Sequence, residues 1–161
     1  MPWCAAPLEE AASAVADVLR EESADVLVTY DANGGYGHPD HIRVHEAGAI
    51  AADLAGTPSL FEATAPRDLM ARAVRAAAKV YPFPPEFDPT SFDRAFTASA
   101  EITHRVDVRR FLDAKRASMA AHASQASADE GPRTLSVFLK LPRPVYAKVF
   151  GTEYYVHRPR G

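Results

Sequence analysis

Helices alternating with short β-branched runs predict an α/β fold: a Rossmann-like, mainly parallel sheet with flanking helices. Three observations carry that expectation. Leu8, Ala12, Val15 and Leu19 recur at helical spacing. The run Asp25-Val26-Leu27-Val28-Thr29-Tyr30 follows at once, with the composition of a buried strand. A second helix, strand and helix then succeed one another between Pro39 and Val80. With 161 residues, 47% apolar and 24% charged, the chain is expected to form a single domain, 1–161, with a core of its own.

In chain order, residues 8–22 read as an amphipathic helix and 25–30 as a strand. Residues 31–37, with three glycines, read as a loop. The next helix starts near Pro39 or Asp40 and ends before Gly56, and Ala47, Gly48, Ala51, Ala52 and Ala55 let it lie close to a sheet. Residues 59–63 suggest a strand and 67–80 a helix, while four prolines exclude regular structure over 81–92. Ile102, His104 and Val106 alternate as on a strand. Asp107 is placed to cap a helix to about residue 124, with Val108, Phe111, Leu112 and Met119 on its buried side. Residues 125–133 are polar, 135–150 are apolar but interrupted by Pro142 and Pro144, and 154–156 suggest a last strand.

Net charge −3 argues against a generic nucleic-acid binder, which needs a basic surface. Cys4 is the only cysteine, which excludes an intrachain disulfide and fits a reducing, cytoplasmic setting. No apolar stretch is long enough for a membrane span, and Met1-Pro2-Trp3-Cys4 lacks the features of a signal peptide.

The stretch that carries chemistry is Tyr30-Asp31-Ala32-Asn33-Gly34-Gly35-Tyr36-Gly37-His38-Pro39-Asp40-His41-Ile42-Arg43-Val44-His45. It joins a strand's carboxyl end to a helix's amino end, where open α/β sheets bind ligands. Three of the six histidines fall here, beside a carboxylate. Neutral imidazole and carboxylate are zinc's preferred donors, and His41 and His45 share one helical face. Ile42 rather than a glutamate follows His41, so this is not the metalloprotease pattern. A helix cap at Asp40 with scattered surface histidines is the plainer reading of an isolated His-x-x-His. The glycine loop directly after a strand favours a site.

Gly34-Gly35-Tyr36-Gly37-His38-Pro39-Asp40-His41 resembles the second signature motif of the LmbE-like, or PIG-L, zinc-dependent N-deacetylases. That family includes the N-acetylglucosaminyl-phosphatidylinositol de-N-acetylases and the mycothiol-pathway deacetylase and amidase. The likeness is strongest over 24–48 and continues more weakly over 103–125 and 150–155. It implies Zn2+ as cofactor and His41 as a ligand to it. It implies that a protonated His38 stabilises the oxyanion and protonates the leaving amine. Tyr36 would point its hydroxyl at the amide carbonyl, and Asp40 would hold a histidine in its working tautomer. The implied substrate is an N-acetylated amino sugar such as N-acetylglucosaminyl-inositol.

The family's first motif, Ala-His-Pro-Asp-Asp, supplies two further zinc ligands and the general base, and it is not found in this sequence. His104 and Asp107 cannot replace it, because on a strand they face opposite ways. The resemblance therefore implies an incomplete fold, lacking the amino-terminal half, and a chain inactive by itself. The alternatives are a non-catalytic or complementing module that joins a partner chain or another copy through the incomplete sheet, and a metal-free anion-binding loop.

Among the remaining residues, His45 and His104 are expected to pack near the site or against the sheet, and His122 to sit at a helix's carboxyl end. Arg105, Arg109, Arg110, Lys115 and Arg116 read as a solvated face or an anion contact. The aromatic, proline-rich stretch 81–87 reads as a connection or a sugar-site wall, and Glu153 to Tyr155 as terminal packing.

Overall fold

A computed structural model describes residues 7–79, 88–122 and 138–159. Cys4, the aromatic stretch 81–87 and the polar segment 125–133 lie outside the described residues. The chain divides into two compact units, Met1–His104 with Tyr154–Gly161, and Arg105–Glu153.

The first unit opens with α1 (Leu8–Glu21), β1 (Val26–Tyr30) and a short glycine turn, α2 (Gly34–Gly37), in which Gly34, Gly35 and Gly37 have positive φ. It continues with α3 (Pro39–Ala55), β2 (Ser59–Thr64), α4 (Arg67–Ala77) and a 3-10 turn at Pro89–Asp93. The strands β3 (His104–Asp107) and β4 (Thr152–Pro159) are each cut by the division between the units. The sheet order is β1-β2-β4-β3. β1 and β2 are parallel, with Val28 opposite Phe61. β2 and β4 are antiparallel, with Phe61 opposite His157. The sheet is therefore mixed, which corrects the mainly parallel expectation. Alternation along a strand reveals its faces but not its direction, so the antiparallel return of β4 left no trace in the pattern.

The core of this unit is built from small residues. Ala12, Ala16 and Leu19 of α1 are buried, and Ala16 and Leu19 meet Ala51 of α3. Arg20 donates through Nη2 to the Leu54 carbonyl at 2.6 Å, tying the ends of the two helices together. α3 begins at Pro39, whose missing N–H costs nothing in a first turn, and stops at Gly56, which is left-handed at φ 69°.

β1 departs from the expected buried strand. Thr29 is buried, but Val26 and Val28 on the alternate face are 49% and 55% exposed. Among the described residues β1 also ends the sheet. Residues 89–92, expected to be irregular, lie in a proline-initiated 3-10 turn, Pro89–Asp93, capped by the Asp88 carboxylate, which accepts from the Thr90 N–H.

In the second unit a 3-10 turn at Arg109–Phe111 precedes α5 (Leu112–Ala121), and α6 (Arg143–Phe150) follows. Asp107 does not cap the helix: it stands one residue before Val108, the cap of the 3-10 turn, and accepts from the Arg109 N–H at 3.0 Å. Hydrogen bonds from Arg109 hold its carboxyl down at about 2. The late helix start shifts the phase of the buried face, so Phe111 is half exposed while Leu112 is buried. Lys115 and Arg116 are not a solvated face. Lys115 pairs with Glu153 at 2.6 Å. The Arg116 guanidinium lies 4.6 Å from the centre of the buried Tyr146 ring and donates to the Leu139 and Leu141 carbonyls. Pro142 precedes α6 and Pro144 occupies its first turn, so neither interrupts the helix.

Candidate functional site

The carboxyl end of β1 and the amino end of α3 come together because α3 seats closely on the strand. A Cβ at Gly48 would stand 3.1 Å from Thr29 Oγ1, so a larger residue would need strand and helix to give by a few tenths of an ångström. Thr29 completes the contact by donating its hydroxyl to the Val44 carbonyl at 3.2 Å.

The connecting segment is folded by Asp31, which is fully buried. Its Oδ1 accepts the N–H groups of Asn33 (3.0 Å) and Gly35 (2.9 Å). Its Oδ2 accepts from the hydroxyls of Thr64, at the end of β2, and Thr97. On the far side, Phe96 donates its N–H to the Gly35 carbonyl at 2.6 Å. The Phe96 carbonyl accepts from Asn33 Nδ2 and from Arg67. The expected loop is thus a tight, doubly pinned turn.

The imidazoles are oriented by backbone groups. His38 caps α3, its Nδ1 accepting the Asp40 N–H at 3.1 Å, so the cap is His38 and not Asp40. That Nδ1 holds a lone pair, and in the neutral ring the proton sits on Nε2. His41 Nδ1 lies 3.2 Å from the Gly34 carbonyl. A carbonyl only accepts, so this nitrogen carries the proton and Nε2 keeps the lone pair. His45 Nδ1 makes the same kind of bond to the Tyr30 carbonyl at 3.0 Å, and stands 3.9 Å from the buried Glu62 carboxylate.

His41 is half-buried and stacks on Tyr30, with ring centres 4.0 Å apart and planes 5° apart. The rings of His38 and Tyr36 lie 4.9 Å and 5.2 Å from it. Tyr36, His38 and His41 therefore cluster, while Tyr36 and His38 remain exposed to solvent. Asp40 sits in the first turn of α3 and is partly exposed. A cavity of about 360 Å³ along α4, lined by Arg67, Arg72, Arg75 and Asp93 among others, includes none of these four residues.

His104 does not join the cluster. It lies exposed on the sheet, edge-on to Phe61 and His157, with its Nδ1 2.8 Å from Thr103 Oγ1. Zinc in a catalytic site takes three protein ligands. Among the described residues no three of His, Cys, Asp or Glu assemble so as to hold a metal. His41 offers one suitable lone pair, and these residues do not by themselves make a zinc site. Asp31, Phe96, Thr64 and Thr97 escaped sequence reasoning, because their partners are 33 to 66 residues away or are backbone groups.

The junction of a strand end, a glycine turn and a helix start is where open α/β sheets bind small molecules. Residues 4–52 match the model of the PIG-L family, described as GlcNAc-PI de-N-acetylase, and the segment bearing the site belongs to that family. The chain is 37% identical over 158 residues to a 1D-myo-inositol 2-acetamido-2-deoxy-alpha-D-glucopyranoside deacetylase of Acidothermus cellulolyticus, a match covering 94% of this chain and 51% of that protein. Against the protein of the same name from Thermomonospora curvata, the identity is 34%, with 97% and 56% covered. The Streptomyces griseus protein of that name is 35% identical, with 92% and 48% covered. The chain spans about half the length of these curated relatives. Among the described residues no helix is long and apolar enough to cross a membrane.

Proposed function

We propose that this chain is the carboxyl-terminal portion of a deacetylase that hydrolyses the N-acetyl group of an amino sugar joined to inositol. The observation that carries the reading is the pair of complementary imidazoles: His41 presents a lone pair on Nε2, and His38 presents an N–H on its own Nε2. The names of the relatives supply the substrate class.

In this reading His38 and the Tyr36 hydroxyl are hydrogen-bond donors to the amide oxygen as negative charge develops on it. Such donors act strongly because they are aimed before the reaction begins. His41 is one donor to the family's zinc, whose other ligands are not among the described residues. The general base is likewise to be supplied from outside them.

Mixing the chain with the portion of the Acidothermus relative that it does not match should therefore produce acetate release from N-acetylglucosaminyl-inositol. His41→Ala should lower that release by about 100-fold or more, and the chain alone should show none. Release that is indifferent to His41→Ala overturns the reading.

A second reading, a module that works by joining another chain, draws on one observation. One face of β1 exposes Val26, Val28 and Tyr30, the strand ends the sheet among the described residues, and an open strand edge invites pairing. Sedimentation should then show a dimer that Val28→Lys dissociates. A monomer at all concentrations removes self-association.

A further inference from the structure

We infer that Asp31, a carboxylate to which the proposed chemistry gives no part, is the positioning residue for His41. It is buried, at 0% exposure, and among the described residues no cation pairs with it. Its partners are the Asn33 and Gly35 amides and the Thr64 and Thr97 hydroxyls. A buried charge held only by neutral donors is costly to retain unless those donors converge well. Here they converge on a turn with one consequence for the site.

Two amides on a single Oδ1 fold the segment back on itself. The Gly34 N–H then bonds to the Asp31 carbonyl at 2.8 Å, and Gly34 takes a left-handed φ of 62°. That conformation aims the Gly34 carbonyl at His41 Nδ1. Free neutral imidazole in water favours its proton on Nε2. The carbonyl reverses this preference and leaves Nε2 with the lone pair. Asp31 thus sets the working nitrogen of His41 through the backbone, without touching the ring. Thr64 and Thr97 lock the carboxylate to the end of β2 and to the segment carrying Phe96, so the setting is referred to the sheet and not to the loop alone.

The catalytic importance of this device rests on the proposed function, but the tautomer it sets does not. The test is long-range proton–nitrogen correlation NMR on histidine-labelled chain, at a pH well above the imidazole range. Wild-type His41 should be almost wholly Nδ1–H. Asp31→Asn, which keeps an acceptor oxygen for the two amides, should preserve that form. Asp31→Ala should drop it below half. His45, held by the Tyr30 carbonyl, should not change in either variant and serves as the internal control. Asp31→Leu, close in shape to the aspartate but carrying no acceptor, gives the same reading should the alanine variant not fold. Nε2–H in the wild type, or unaltered Nδ1–H in a folded Asp31→Ala or Asp31→Leu, overturns the inference. Failure of the deacetylation assay would leave these spectra as they are.

Discussion

Gly34→Ala is expected to destabilise the first unit by about 2–4 kcal/mol, from left-handed strain of 1–2 kcal/mol plus overlap of a similar size. The overlap is specific to this position. A Cβ there would lie 2.7 Å from both the backbone nitrogen and Cγ1 of Ile42, and 3.1 Å from His41 Cβ. The backbone of α3 cannot yield without lifting the helix from β1. Gly56→Ala is the control: φ is again left-handed at 69°, but nothing lies within 4 Å of the added carbon. It should cost about 1 kcal/mol. Urea unfolding of the two variants separates strain from collision. Equal losses would mean that the turn around Gly34 is looser than described.

Arg158→Met is expected to cost about 2–4 kcal/mol, because it strands the Glu62 carboxylate inside the sheet layer. Glu62 is 4% exposed, and Arg158 holds both its oxygens at 3.2 Å in a two-pronged contact. The figure is set below that of a fully buried pair because the arginine side chain is itself half exposed. The double variant Glu62→Leu with Arg158→Met should recover to within about 1 kcal/mol of wild type, since removing both charges removes the desolvation penalty. If the double variant is as unstable as the single one, the loss comes from packing of the arginine stem, not from an abandoned carboxylate.

Much of the frame was legible in the chain itself. α1 and α3 followed from apolar periodicity and from the Pro39 and Gly56 punctuation. β1 and β2 followed from their β-branched and apolar runs. The octapeptide from Gly34 to His41 marked the candidate site, since strand end, glycine turn and helix start are contiguous in sequence. The direction of β4 was not legible, nor was the exposure of β1, because each depends on which neighbour a strand has and not on its own composition. The roles of the imidazole nitrogens were also hidden. They depend on where the Gly34 carbonyl and the Asp40 N–H point, and these are properties of dihedral angles that no residue type announces.

The near-contact of Gly48 with Thr29 reaches beyond packing. α3 carries His41 and His45 within it and His38 at its cap, so a side chain at position 48 that lifts the helix from β1 displaces all three imidazoles together.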